Sequence, residues 1–367
     1  MRYPEFLQPN GTIGFVAPSF GCATEPYKSG FIHAQEKWKE AGFRLELGPN
    51  CYAEGGIGIS NTPEKCGREL TEYYCSQTND CLISCGGGEL MCEILDYVDF
   101  ERIRAAKPKW YMGYSDNTNF TFLLTTLCDT ASVYAPCAAT FGMEPAHPAL
   151  EDAMALLQGK KLIMQGYDQW EKESLKDEEH PLAPYHLTEK TEIKYVLPGL
   201  GTNVASLANQ AGNIGRAESA GQAPFSTMFS GRLLGGCLDI LVTLLGTKYD
   251  RVEEFIGRYR QDGILWFIEA CDLNLMSIRR ALWQIDHAGW FTHCSGFLIG
   301  RPRVGMEAEE FGIDHYQAVY EMLRKYNVPV LMDVDIGHLP PTMPLICGSK
   351  AWVSTNGTSY TVQMELK

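Results

Sequence analysis

The chain has 367 residues and a formal net charge of -14, with 45% hydrophobic and 21% charged residues. Such a length favours two domains, the composition is that of a globular protein without long disorder, and the negative surplus disfavours nonspecific contact with nucleic acid or an anionic membrane. No apolar run is long enough to span a bilayer and the start, MRYPEFLQPNGTIG, lacks the basic and apolar regions of a secretory signal, so a cytoplasmic protein acting on small molecules is expected.

The 13 cysteines are odd in number, run from Cys22 to Cys347, and form no C-x-x-C pair, which reads as reduced thiols rather than disulfides or structural zinc. Cys81, Cys85 and Cys92 are the tightest set; buried small hydrophobes describe them better than a metal site. No metal or organic cofactor is expected.

In chain order, short apolar runs alternate with helix-period segments over the first 165 residues, as a parallel sheet with crossover helices requires. Thr12 to Ala17 is the first predicted strand, Pro26 to Ala41 a helix closed by Gly42, Phe43 to Leu47 a strand and Pro63 to Cys75 a helix. Cys81 to Ser84 then enters Gly86-Gly87-Gly88 and a helix from Glu89 to Tyr97. Trp110 to Met112 enters Gly113-Tyr114-Ser115-Asp116 and a further helix. Both glycine turns sit at carboxyl ends of strands, where open α/β sheets bind ligands. The acidic, proline-containing stretch Gly166 to Tyr195 breaks the periodicity and reads as a linker or a lid.

The second half, residues 196–367, restarts with Leu233 to Gly235, a helix from Cys237 to Leu245, the strand Ile264 to Ile268 and an amphipathic helix from Leu273 to Ala288. Strands at Gly296 to Gly300 and Pro329 to Val334 follow. Asn356-Gly357 between two β-rich runs predicts a hairpin with a two-residue turn.

Three residues carry candidate chemistry. Ser115 lies in a strand, turn and helix sequence like a nucleophile elbow, although Asn117 stands where the second glycine of G-x-S-x-G belongs. Alone, a serine before a helix is more often an N-cap. Glu269 ends an apolar strand, and alone it fits a salt bridge with Arg279 or Arg280. His338 follows another strand and precedes Leu339-Pro340-Pro341, while the other seven histidines have weaker settings, His315 among them in a polar stretch. Jointly the three stand in the order nucleophile, acid, base of one class of triad hydrolase. His338 then takes the Ser115 proton, Glu269 orients the imidazole, and the N–H groups of Asp116 and of Gly87 or Gly88 receive the developing oxyanion.

Gly113-Tyr114-Ser115-Asp116, the strand-terminal Glu269 and Gly337-His338 followed by prolines resemble the serine LD-carboxypeptidase family. The opening strand, Gly87-Gly88, Gly235-Gly236 and Arg280-Ala281-Leu282 fall in family order across nearly the whole chain. The resemblance implies a flavodoxin-like N-terminal domain (residues 1–165) with the nucleophile, a second α/β domain (196–367) with Glu269, His338 and a β-rich tail, no cofactor, and a homodimer. It implies hydrolysis of an amide bond, either to the terminal D-amino acid of a murein peptide or, in the microcin C immunity branch, in an aminoacyl or peptidyl adenylate analogue.

The chain departs from the family at Ala270, where aspartate is usual, and at Cys237, where asparagine is usual; both affect the expected pocket rather than the triad. Trp170, with Tyr185 and His186, resembles the aromatic loop of the immunity branch. Arg301 and Arg303 are candidates for a substrate carboxylate, or plain surface residues. A noncatalytic binding protein with Ser115 as an anion-binding cap is the competing class. A nicotinamide enzyme is disfavoured, because no G-x-G-x-x-G follows the first strand.

Overall fold

The computed structural model describes residues 1–208 and 226–367 and divides the chain into two compact units. One comprises Met1–Leu162, Glu171–Leu187 and Thr342–Gly348; the other comprises Ile163–Trp170, Thr188–Pro341 and Ser349–Lys367. The stretch Gly166 to Tyr195 is therefore shared between the units. It contains the strands Gln169–Glu171 and Leu187–Lys190 and the start of Lys194–Leu197. Among the described residues no helix is long and apolar enough to cross a membrane.

The first unit is built on a six-stranded sheet. Five parallel strands lie in the order Arg44–Leu47, Thr12–Val16, Cys81–Ser84, Trp110–Gly113, Ser132–Tyr134, and Leu345–Cys347 adds an antiparallel edge. This is the flavodoxin-like order, and the inner strands are buried at every position, as parallel strands covered on both faces require. The Pro63–Cys75 helix starts with Thr62 Oγ1 accepting the Lys65 N–H and with proline in its first turn. Its Glu69 is buried, because the carboxylate accepts the N–H groups of Ala17 and Asn50 at 3.0 and 2.9 Å. Burial pushes that carboxyl up to about 7 against those hydrogen bonds.

The second unit is α/β with a nine-stranded mixed sheet. Val330–Val334, Cys294–Gly300, Ile264–Glu269 and Thr227–Cys237 form its parallel centre, with Lys194–Leu197 and then Gly201–Thr202 antiparallel on one side and Lys350–Thr355, Tyr360–Glu365 and Ile163–Gln165 continuing the other. The carboxyl ends of the central strands thus carry Cys237, Glu269, Arg301 and the loop to His338.

Three local expectations change. Glu89 to Tyr97 is not an α-helix but a 3-10 segment from Met91 to Tyr97, since the N–H groups of Glu89 and Leu90 turn back to Gly58 O and that of Met91 is taken by the Asp116 carboxylate. The hairpin loop has four residues rather than two: Thr355 pairs with Tyr360, and Asn356 Oδ1 accepts from the N–H groups of Thr358 and Ser359. The strand entering Cys237 begins at Thr227, six residues before Leu233.

Candidate active site

Ser115 sits between the buried Trp110–Gly113 strand and the Thr118–Thr126 helix, at φ +63°, a left-handed backbone that serine rarely adopts. Such strain in a strand-to-helix turn is the elbow geometry that lifts a side chain off the sheet. The residues preceding the 3-10 turn and the helix are Tyr114 and Asn117, and neither makes a side-chain cap bond. Ser115 is therefore at the apex of the turn rather than at a cap position, and its N–H donates to the Tyr134 hydroxyl at 3.2 Å.

The glycine turn closes on this serine. A methyl group built on Gly87 would lie 3.3 Å from both Ser115 Cβ and Oγ, so this position tolerates no bulk without crowding the hydroxyl. Gly88 faces Ser19 and Gly58 O instead. Asp116 ties its turn to neighbouring segments: its carboxylate accepts from Ser19 Oγ, from the Met91 N–H at 2.9 Å and from Asn119 Nδ2, in the first turn of the helix, at 3.0 Å. Burial raises its carboxyl to about 6, against the lowering effect of the Ser19 and Met91 bonds. The sequence offered Asp116 as a backbone donor; its side chain as the clamp of the turn was not foreseen.

In the second unit, His338 Nδ1 is 2.9 Å from Glu269 Oε2, and Glu269 is 1% exposed. The salt bridge that Glu269 alone also fits is absent here, since Arg279 pairs with Glu321 and Arg280 bonds Ser277 Oγ. Gly337, at φ +107°, lets the loop approach: a methyl group there would lie 2.6 Å from Glu269 Oε2. Burial opposes a charged imidazole, but the Glu269 carboxylate and the hydrogen-bonding Cys271 side chain outweigh it, and the His338 pKa rises above its ordinary value. A carboxylate on Nδ1 holds the imidazole in one orientation.

The remaining candidates are placed as follows. Cys237 is buried beside Asp239, and burial pushes its thiol well up. Asp239 also accepts the N–H groups of Cys271 and Asp272, so it organises the turn after Glu269. Arg303 is half exposed, pairs with Asp272 and contacts Cys271. Arg301 is turned into the protein, 1% exposed, against Asp335 and 5.1 Å from the Trp170 ring. Both readings of Arg301 from sequence, surface residue or carboxylate clamp, directed it outward. Trp170 is correspondingly buried rather than presented to solvent.

Two features escaped the sequence. His315 is buried with its Nε2 3.4 Å from Asp333 Oδ1, and Tyr316 donates to the same carboxylate. Asp333, at φ +60°, is the extra residue where the pairing of Val330–Val334 with Cys294–Gly300 shifts register. Cys81 and Cys85 are core thiols, with burial raising Cys81 to about 12. Among the described residues no three His, Cys, Asp or Glu side chains gather as metal ligands.

The chain is similar to known proteins over nearly its whole length. The chain is 23% identical over 361 residues to the Microcin C7 self-immunity protein MccF of Escherichia coli, covering 96% of this chain and 92% of that protein. It is 25% identical over 358 residues to a probable murein peptide carboxypeptidase of Bacillus subtilis, covering 96% and 91%. Among solved structures, MccF in complex with aspartyl sulfamoyl adenosine matches with a TM-score of 0.77 at 21% identity, over 99% of this chain and 98% of that one. An MccF-like protein from Bacillus anthracis matches with a TM-score of 0.75 at 19% identity over the full length of both. Family models for the LD-carboxypeptidase N-terminal and C-terminal domains match residues 13–135 and 230–353, the parts of the chain that hold Ser115 and Glu269 with His338, and the chain belongs to the LD-carboxypeptidase family.

Proposed function

We propose that the chain is a serine-type LD-carboxypeptidase that releases the terminal D-amino acid of a cytoplasmic murein peptide through an acyl-enzyme. The observation that carries this reading is the 2.9 Å contact of His338 Nδ1 with the buried Glu269 carboxylate, since an oriented imidazole is what a serine nucleophile needs. Ser115 Oγ attacks the carbonyl carbon while its proton passes to His338 Nε2. The N–H groups of Asp116 and of Gly87 or Gly88 stabilise the oxyanion. Collapse expels the amine with the proton from His338, and water, activated by the same imidazole, releases the product acid.

Arg303 is the better candidate for the substrate's free carboxylate, being half exposed and one side chain removed from His338 through Cys271. A noncatalytic binding role is disfavoured, because it gives the His338 and Glu269 pair nothing to do.

A second reading, cleavage of an aminoacyl adenylate analogue, is supported by the similarity to MccF, which covers as much of the chain as that to the murein enzyme. Burial of Trp170 against Arg301 weighs against that ring as a base-stacking platform. Mass spectrometry after incubation with murein tetrapeptide and with aspartyl sulfamoyl adenosine, beside Ser115→Ala, separates the two. Loss of D-alanine is expected; cleavage of the adenosine compound alone would select the second reading, and silence on both would favour the binding protein. Light scattering of the purified chain tests the expected homodimer.

A further inference from the structure

The loop that carries His338 is held by a residue the reaction scheme does not use. Arg301 Nη1 donates to Asp333 O at 2.7 Å, and Nη2 donates to Asp335 Oδ1 at 2.7 Å and to Leu339 O at 3.4 Å. Among the described residues, each of these bonds ends on residues 333 to 339. Two fall before His338 and one on the residue after it. The Asp335 carboxylate is itself anchored by the Tyr167 N–H at 2.9 Å and the Tyr360 hydroxyl at 3.0 Å, and Arg301 and Asp335 are 1% and 0% exposed.

A planar guanidinium can take acceptors on both sides of a loop at fixed separation, whereas an ammonium offers a compact point charge. Between the stapled ends, Gly337 passes so close to Glu269 that a small shift of the loop would change the His338 to Glu269 contact. We propose that Arg301 is a positioning residue for His338: it staples residues 333, 335 and 339 so that the imidazole stays on the Glu269 carboxylate. The proposal rests on His338 serving as the base, and it gives Arg301 a role inside the machinery rather than in substrate recognition.

Arg301→Lys keeps the buried charge opposite Asp335 but not the fork. The double variant Arg301→Met with Asp335→Asn removes both charges, so that no lone buried carboxylate confounds folding. Two readouts apply to each. NMR titration of the His338 imidazole in the histidine-labelled full chain needs no substrate; its pKa is expected to fall by about one unit as the Glu269 contact loosens. Turnover of whichever of murein tetrapeptide and aspartyl sulfamoyl adenosine the native protein cleaves is expected to lose about tenfold to a hundredfold in kcat with KM within about twofold.

A folded Arg301→Lys with native kcat and native His338 titration would overturn the proposal. So would a rise in KM at unchanged kcat, which would make Arg301 a substrate contact, or failure of both variants to fold, which would assign Arg301 to stability alone. His338→Ala separates the levels: if it retains turnover, the triad reading itself fails, whatever Arg301 does.

Discussion

Glu269 and His338 are 69 residues apart in sequence and 2.9 Å apart in the structure, with the carboxylate wholly buried and the imidazole nearly so. The pair raises the His338 pKa, and a base must be neutral to accept a proton. Activity should therefore climb with pH above the ordinary imidazole value of about 6.5 rather than level off there. Glu269→Gln should move the rise of kcat/KM to lower pH while lowering its plateau by about tenfold or more. The stability effect has a definite sign: a histidine whose folded pKa is raised favours folding fully below its unfolded value and loses that contribution as pH rises through the folded value. Thermal unfolding of the native chain minus that of Glu269→Gln should narrow across this window; a pH-independent difference would remove the ion pair from the account.

Gly87 supplies a test that separates chemistry from folding. Its backbone is not left-handed, and among the described residues an added methyl would meet only Ser115 Cβ and Oγ, at 3.3 Å. Gly87→Ala should unfold within a few degrees of the native chain, yet crowd the hydroxyl and the oxyanion site and lose about tenfold to a hundredfold in kcat. Native turnover would take Gly87 out of the oxyanion hole.

Asp116 distinguishes an acceptor from a donor. Asp116→Asn can keep one oxygen on Ser19 Oγ and the Met91 N–H, whereas Asp116→Ala leaves both unmet in a buried place. The alanine variant should be destabilised by about 2 to 4 kcal/mol in chemical denaturation, and the asparagine variant by about half of that or less. Because its folded pKa is raised to about 6, it is the protonated carboxyl that favours folding: that contribution is fully present below the ordinary carboxyl range and is lost as pH rises through about 6. The pH dependence of unfolding between about 4 and 6 should flatten in Asp116→Asn.

Much of this site was legible because strand ends are legible. Apolar runs terminating at Gly113, Glu269 and Val334 put Ser115, Glu269 and His338 at or just past carboxyl ends of parallel strands, and chain order suggested the roles proposed for them. What escaped was whatever depends on partners distant in sequence. Glu69 reads as one more helix carboxylate, but two backbone N–H groups from other loops draw it inside. Arg301 reads as exposed because arginine after a strand usually is; only Asp335, with Tyr167 and Tyr360 behind it, makes burial tolerable. The register shift at Asp333 has no local signature, since no glycine marks its left-handed backbone.

The strained backbone at Ser115 gives the most discriminating prediction. At φ +63° a side chain with a Cβ is disfavoured by about 1 to 2 kcal/mol, a strain retained where function requires the residue. Ser115→Ala and Ser115→Gly both remove the proposed nucleophile and whatever bonds the hydroxyl makes, so both should lose about a thousandfold or more in turnover. They differ in the Cβ alone. Glycine relieves the left-handed strain but gives the unfolded chain more freedom, which offsets part of the gain. The balance should leave Ser115→Gly more stable than Ser115→Ala by on the order of 0.5 to 1 kcal/mol, read as about 2 °C in thermal unfolding. If the alanine variant were the more stable of the two, the turn at Ser115 would not be strained, and the elbow reading would lose its structural basis even if both variants proved inactive.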